Sequence, residues 1–204
     1  MGMMRGGPIA LGITGASGSA YALRLLECLL GAGETVHLMV SQAGQIVLKM
    51  ESDLELPAQP GEAEQFLTRH FNAAPGQLRV FGRQQWMAPV ASGSNPPRAM
   101  VVCPCTTGSL SAIACGASND LLERAADVVL KERRKLILVV RETPFSEIHL
   151  ENMLKLSRMG AVIMPANPGF YHKPADLQGV VDFMVARILD QLEIPHALLP
   201  RWGE

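Results

Sequence analysis

Five short apolar runs, none of them alternating with polar residues, constrain the fold more than any other feature of this sequence. They are Pro8–Thr14, Thr35–Val40, Ala99–Cys103, Lys135–Val140 and Ala161–Met164. A strand that is apolar on both faces must be covered on both faces, which is the arrangement of parallel sheets. The segments between the runs have the spacing of amphipathic helices. We therefore predict a three-layer α/β sandwich, Rossmann-like or flavodoxin-like, with a mainly parallel sheet.

The helical segments complete this alternation, except in one stretch. The predicted helices are Ala20–Leu30, Ser41–Glu51, Glu62–His70, Asn119–Lys131 with Asn119 as its N-cap, Ser146–Met159 and Asp176–Leu192. Residues 52–97 contain six prolines and fit the alternation less well. We interpret the chain, 1–204, as a single domain with an insertion at about 52–97, between the second and third of the predicted strands.

The chain carries less charge than its length leads us to expect. It has 18 Lys and Arg and 19 Asp and Glu in 204 residues, whereas about 51 charged residues would be typical. Because charged side chains supply much of a wetted surface, we expect other copies of the chain to cover part of it. The net charge of −1 argues against nucleic acid as a partner.

Two further features bear on where the protein works. No apolar stretch approaches the roughly 20 residues that span a bilayer. The four cysteines, in a chain long enough to build an apolar core, favour free thiols in a reducing compartment. We therefore expect a cytoplasmic protein that does not cross a membrane.

Small, hydroxyl-bearing or charged residues follow every predicted strand. In open α/β sheets ligands bind beyond the carboxyl ends of the strands. The first loop, Gly12–Ser19, has glycines that let the backbone approach an anion and opens a helix whose N–H groups favour phosphate. Alone it would equally fit a tight turn, but Thr106, Thr107 and Ser109 repeat this chemistry after the third strand. Because Ser41 stands where a dinucleotide site has an acidic residue, we predict FMN rather than NAD.

Three side chains are candidate ligands of an anion. Arg141 directly follows the fourth predicted strand and either pairs with Glu142 or binds an anion. Arg187 lies among apolar positions of a helix, where extension of its charged end towards water is the alternative. Tyr171 lies in a loop bracketed by Gly and Pro and either donates to a phosphate or packs. Neither the histidines nor Cys103-Pro104-Cys105 have metal-ligand spacing, so we predict no metal site.

Four motifs in combination resemble the UbiX family of flavin prenyltransferases. They are GITGASG at 12–18, RAADVVLKERR at 124–134, VRETP at 140–144, and AVIMP at 161–165 followed by FYH at 170–172. The resemblance extends from about Pro8 to Trp202. It implies an enzyme that joins the dimethylallyl group of dimethylallyl phosphate to N5 and C6 of reduced FMN without a metal ion.

The resemblance also implies partners and site residues. It implies a homo-oligomer, typically a dodecamer with sites at subunit interfaces, whose product, prenylated FMN, serves a UbiD-type decarboxylase in ubiquinone biosynthesis among other routes. The implied FMN-binding residues are Gly15, Ala16, Ser17, Ser41, Thr106, Thr107, Gly108, Ser109 and Arg141. The implied substrate-binding residues are Tyr171, Arg187, Arg124 and Lys131. The implied catalytic residues are Ser17, Glu51, Glu142 and Lys131.

Elementary chemistry is consistent with these assignments. Cleavage of an allylic phosphate leaves a cation and a phosphate dianion, which fixed donors must stabilise where no metal ion does so. Loss of the flavin C6 proton requires a base, for which Glu142, with Ser17 or the departing phosphate, is the candidate.

Two other functions stay open at this point. An FMN-dependent decarboxylase of the cysteine-decarboxylating group would share the fold, but that group favours a Pro-Ala-Ser-Ala-Asn-Thr type of segment where this chain has Pro104–Ser109. A non-catalytic FMN carrier would not need several cationic side chains directed at one site.

Overall fold

The molecule is built on one sheet of six parallel strands. The structure, a computed structural model, describes residues 6–200 and 203, so Trp202, where the resemblance ends, lies outside the described residues. The strands are β1 Ile9–Ile13, β2 Val36–Val40, β3 Leu78–Phe81, β4 Ala99–Cys105, β5 Lys135–Val140 and β6 Val162–Ile163. Their order across the sheet is β3-β2-β1-β4-β5-β6. The predicted α/β class with a parallel sheet is confirmed.

Within residues 6–200, seven α-helices cover the two faces of the sheet. They are α1 Ser19–Gly31, α2 Gln42–Glu51, α3 Pro60–His70, α4 Thr107–Ala114, α5 Leu121–Lys131, α6 Glu147–Arg158 and α7 Leu177–Gln191. Apolar side chains of α1, α2, α3 and α7 form one core, and those of α4, α5 and α6 form the other. Successive residues of β1 serve the two sides, because Ile9 and Leu11 lie in the first core and Ala10 in the second. This explains why the central strands are apolar throughout.

The N-cap predicted for α5 was wrong by one residue. Asp120, not Asn119, precedes the first helical residue, and its carboxylate accepts the Glu123 N–H at 2.9 Å. The Asn119 N–H instead donates to the Glu123 carboxylate at 2.8 Å. Either residue type can cap a helix, so composition alone does not distinguish the two positions.

The strand β3 was not predicted from the sequence. It pairs with β2 at the edge of the sheet and alternates, with Leu78 and Phe81 buried and Arg79 exposed. A search for unbroken apolar runs finds central strands and misses an edge strand of this kind. The structure thus places α3 and β3 within residues 52–97, and the division of the chain into one domain with an insertion there stays a prediction.

A buried histidine next to β3 predicts that stability depends on pH. His37 on β2 is 9% exposed, packs edge-on against Phe81, and has no hydrogen-bond partner for Nδ1 among the described residues. Burial, reinforced by the charge of Arg79, lowers the pKa of His37 below its usual 6.5, and Glu64 opposes this only in part. The unfolded chain therefore binds the proton first as the pH falls. We expect the free energy of unfolding to be fully retained above about pH 6.5 and to decrease as the pH falls from there towards the native pKa.

Urea denaturation at a series of pH values between 5 and 8 measures this effect. The His37→Leu variant is the control, since it cannot take up the proton and should lose this part of the pH dependence. Equal slopes for the variant and the unaltered protein would contradict the assignment to His37.

Candidate active site

The loop between β1 and α1 packs so closely against the start of α2 that a glycine is required on each side of the contact. A Cβ atom on Gly15 would overlap the Cβ of Ala43, and one on Gly44 would lie 2.7 Å from the Ile13 carbonyl oxygen. The start of α2 therefore rests directly on the end of β1 and on the first loop. Ala16 is buried beneath this contact and Ser17 is exposed, so the loop presents backbone and one hydroxyl at the carboxyl edge of the sheet.

Glu51, the last residue of α2, places its carboxylate on the N-terminus of α1. Its Oε2 accepts the Gly18 N–H at 2.9 Å, the Ser19 N–H at 2.8 Å and the Ser19 hydroxyl at 2.8 Å. Burial by itself would raise the pKa of Glu51, but these bonds and one from the Ser17 side chain outweigh it and lower the pKa to about 2. Glu51 is thus a fixed carboxylate that accepts protons poorly, and the N-terminus of α1 already holds an anion of the chain itself.

The hydroxyls predicted to bind FMN also cap helices. Ser41 accepts the Gly44 N–H at 3.0 Å at the start of α2. Thr106 accepts the Ser109 N–H at 3.0 Å at the start of α4 and donates to the Ser109 hydroxyl at 3.0 Å. Thr107 and Gly108 form the first turn of α4, whose N–H groups and dipole favour an anion. Four of the implied FMN residues are therefore gathered at one helix start.

Arg141 follows β5 at the same edge of the sheet. Its backbone N–H donates to the Cys105 carbonyl at 3.2 Å, and its exposed side chain enters no ion pair within residues 6–200. Glu142 instead accepts the N–H of Thr143 at 3.0 Å. Burial and Cys103 raise the pKa of the half-buried Tyr21, and the nearby charge of Arg141 opposes them. Arg141 is thus a cation that the described chain does not neutralise.

Two implied phosphate ligands lie on α5. Arg124 donates from Nε to the Ala91 carbonyl at 3.1 Å and pairs with Asp127 at 2.7 Å. Lys131, two turns further along, pairs with Glu132, and a Cβ atom on Gly93 would overlap both side chains. Both cationic side chains therefore lie against the segment around residues 89–93.

The other two implied phosphate ligands share a cavity beside α7. Tyr171 and Arg187 line a space of about 600 Å³ together with Asp190 and His196. Arg187 pairs with Asp190 at 2.7 Å, and the other carboxylate oxygen of Asp190 lies 3.1 Å from Nε2 of His196. We did not single out Asp190 or His196 from the sequence, although the three-residue spacing from Arg187 to Asp190 on a helix is a signal for such a pair.

Within one chain, Lys131 and the cavity beside α7 lie apart from Arg141. Lys131 lies four residues before the start of β5 and Arg141 directly after its end, so a strand about 17 Å long separates them. Near the start of β5, Lys135 donates to the Gln191 carbonyl at the end of α7, one turn beyond Arg187. All residues that line the cavity beside α7 come from residues 171–200. None of them belongs to the loops after β1, β2, β4 and β5.

The described residues give little support for a reactive cysteine or a bound metal ion. Cys103 and Cys105 are fully buried, and burial raises the pKa of both thiols, so neither is a reactive thiolate. In the part of the chain that the structure describes, no three His, Cys, Asp or Glu side chains are grouped so as to hold a metal ion. Nor do residues 6–200 form a helix long and apolar enough to cross a membrane.

The chain is similar to known proteins over nearly its whole length. A family model described as Flavoprotein matches residues 2–189. Flavin prenyltransferase UbiX of Pseudomonas aeruginosa is 61% identical over 196 residues, which cover 96% of this chain and 94% of that protein.

Two solved structures share the fold at substantial identity. The crystal structure of AnUbiX (PadA1) in complex with FMN and dimethylallyl pyrophosphate has a TM-score of 0.86 at 38% identity and covers 98% of this chain and 99% of its own. The dodecameric FMN-dependent UbiX-like decarboxylase from Escherichia coli O157:H7 has a TM-score of 0.83 at 36% identity, with 97% and 100% covered.

The cysteine decarboxylases are more distant. TvaF, an FMN-dependent cysteine decarboxylase, is 17% identical at a TM-score of 0.56, a likeness that shows the fold alone. The identity to UbiX proteins, by contrast, extends over nearly the whole chain. The protein therefore belongs to the UbiX family of flavin prenyltransferases.

Proposed function

We propose that this chain transfers the dimethylallyl group of dimethylallyl phosphate to N5 and C6 of reduced FMN and releases prenylated FMN and phosphate. The allylic C–O bond breaks and its electron pair leaves with the phosphate, while flavin N5 supplies the electron pair for the first new bond. The C=C bond of the prenyl group then breaks as it takes up one proton, and flavin C6 supplies the electron pair for the second new bond. The flavin loses its N5 and C6 protons, one of which balances the proton taken up by the prenyl group and the other of which balances the phosphate. One observation carries the proposal. At the carboxyl edge, hydroxyl-rich loops and the start of α4 lie beside Arg141, a cation with no ion pair among residues 6–200.

The residues at this edge fit FMN. Reduced FMN, when bound, is the electron-rich nucleophile, so the protein mainly has to position it against the prenyl group. The implied binding set for FMN is Gly15, Ala16, Ser17, Ser41, Thr106, Thr107, Gly108, Ser109 and Arg141. Gly15 and Ala16 would present backbone, and Arg141 would supply the positive charge.

The departing phosphate needs donors that the carboxyl edge of one chain does not supply. Arg124 and Lys131 on α5, and Tyr171 and Arg187 beside α7, lie in separate groups. We propose that neighbouring subunits bring them to the site, so that the active form is a homo-oligomer, specifically a dodecamer. Exposed apolar side chains support this, since they need cover. They include Ile46, Met50, Met87, Ile148, Leu150, Leu154 and Leu177.

The two carboxylates of this edge have different proposed roles in proton transfer. Glu142 is half-buried directly after Arg141 and is the proposed base for the C6 proton. Glu51 accepts from Ser17 and from the start of α1, and we propose that it orients the Ser17 hydroxyl for proton exchange with the flavin.

We propose that the reaction takes place in the cytoplasm. The four thiols are free, with Cys103 and Cys105 buried, which supports a reducing compartment and hence the cytoplasm. The product is proposed to serve a UbiD-type decarboxylase, in ubiquinone biosynthesis among other routes.

Anaerobic incubation with reduced FMN and dimethylallyl phosphate tests the reaction. We expect the flavin to gain the mass of one prenyl unit, with one phosphate released for each flavin, and no gain with oxidised FMN. Dimethylallyl pyrophosphate, the ligand of the AnUbiX complex, is the second substrate to compare. Tight FMN binding without any mass gain would overturn the proposal in favour of a carrier.

A further inference from the structure

The hydroxyl of Thr14 ties the loop after β1 to the end of β4. It donates to the Pro104 carbonyl at 2.7 Å and accepts the Thr106 N–H at 2.8 Å. The backbone N–H of Thr14 adds a bond to the same Pro104 carbonyl at 3.2 Å. Thr14 is 2% exposed, so water cannot replace these bonds where they are lost.

Both hydroxyl bonds act on the start of α4. Thr106 is the N-cap of that helix and binds the Ser109 N–H through its own side chain. By holding the backbone N–H of this cap, Thr14 sets the distance between the first loop and the N-terminus of α4. The adjacent Cys105 carbonyl accepts the N–H of Arg141 at 3.2 Å, so the loop after β5 is attached to the same stretch.

Regular pairing with β1 does not fix this stretch of β4. The pairing of β1 with β4 ends at Gly12 and Val102, and the register between β4 and β5 shifts between Val102 and Cys105. Beyond Val102, the hydrogen bonds that join the loop after β1 to β4 among the described residues are those of Thr14.

We propose that Thr14 is a positioning residue for FMN, whose hydroxyl holds the first loop and the N-terminus of α4 at the spacing that FMN requires. This inference rests on the proposed function, because both loops belong to the proposed FMN site. Without the hydroxyl, the Thr106 N–H loses its partner and the two loops separate in the free protein. Binding of FMN must then restore their spacing, which weakens binding.

The dissociation constant for FMN, measured by quenching of flavin fluorescence, tests this role. We expect Thr14→Val, which keeps the shape and removes the hydroxyl, to raise the constant about tenfold, equivalent to about 1.4 kcal/mol. Thr14→Ser, which keeps the hydroxyl, should stay within about twofold of the unaltered protein. Thr14→Ala differs from Thr14→Ser by the hydroxyl alone, so the same tenfold separation is expected within that pair if Thr14→Val does not fold.

A core variant separates positioning from general stability. Leu67 on α3 is 1% exposed, so Leu67→Ala should unfold at lower urea concentration and leave the FMN constant unchanged. Unaltered FMN binding by a hydroxyl-free variant of Thr14 would overturn the proposal, as would failure of both such variants to fold. If the unaltered protein binds no FMN, the proposed function and this inference fall together. FMN binding without prenyl transfer would contradict the proposed function but not the role of Thr14.

Discussion

Mixed oligomers of two inactive variants, Arg141→Ala and Arg187→Ala, are expected to regain about a quarter of the unaltered turnover. Arg141 lies at the carboxyl edge of the sheet, whereas Arg187 lines a cavity that residues 171–200 form beside α7. If each site takes Arg141 from one subunit and Arg187 from another, half of the sites have an intact Arg141 and half of those also an intact Arg187. A site built within one chain would never have both.

Each variant alone should be nearly inactive. Removing one donor to a developing phosphate charge typically lowers turnover by roughly a hundredfold or more, which we expect for Arg187→Ala, and Arg141→Ala removes the cation proposed to bind FMN. A recovery to a quarter therefore stands well above the background. The experiment co-expresses the two chains with different affinity tags, purifies oligomers that contain both, and measures prenylated flavin formed per chain.

The matched control mixes two variants from the same edge of the sheet, Arg141→Ala and Glu51→Ala. Because both residues belong to one chain's set of loops, every site lacks one of them and no recovery is expected. Recovery in this control, or none in the first mixture, would mean that the subunits divide the site differently from our proposal.

The fold was largely predictable because the central strands of a parallel sheet are apolar on both faces. That property identified five strands. It did not identify Leu78–Phe81, because this edge strand exposes Arg79. That the loops proposed to bind FMN meet at one edge followed from the same reasoning, since parallel strands all end at one edge.

The interactions within the site were less predictable, because they join residues far apart in the chain. Glu51 lies 33 residues from Gly18 and Thr14 lies 92 from Thr106. Their meeting depends on the way α2 returns to the first loop and on the irregular end of β4. Nor does periodicity show that the side chains of Arg124 and Lys131 contact residues 89–93. The spacing of residues predicts which of them share a face of the helix, but not which segment packs against that face.

Replacement of Glu51 is expected to lower turnover roughly a hundredfold without changing the shape of the pH profile. In Glu51→Gln the amide oxygen can still accept from Gly18 and Ser19, but charge-assisted bonds become neutral ones of about half the strength. Ser17, which donates to Glu51, then loses its charged partner. Since the pKa of Glu51 is about 2, this carboxylate is ionised at every pH between 5 and 9, and the loss should be the same throughout that range.

The same pKa gives the sign of the effect on stability. The native value lies below the ordinary 4.5, so the contribution of Glu51 is present above pH 4.5 and is lost as the pH falls towards 2. Acid denaturation of Glu51→Gln should therefore depend less steeply on pH in that interval. Glu147, an exposed acidic residue in the first turn of α6, is the matched control, because Glu147→Gln should leave turnover and its pH profile unaltered.

The pH profile also decides what Glu51 does. A general base that titrates during turnover would give an acidic limb near its pKa, and its replacement would remove that limb. A carboxylate that four donors hold in its ionised form acts instead through its negative charge on Ser17 and the start of α1. If Glu51→Gln removes an acidic limb between pH 5 and 7, then Glu51 is protonated in the working enzyme, and the hydrogen bonds from Gly18 and Ser19 do not hold it in its ionised form during the reaction.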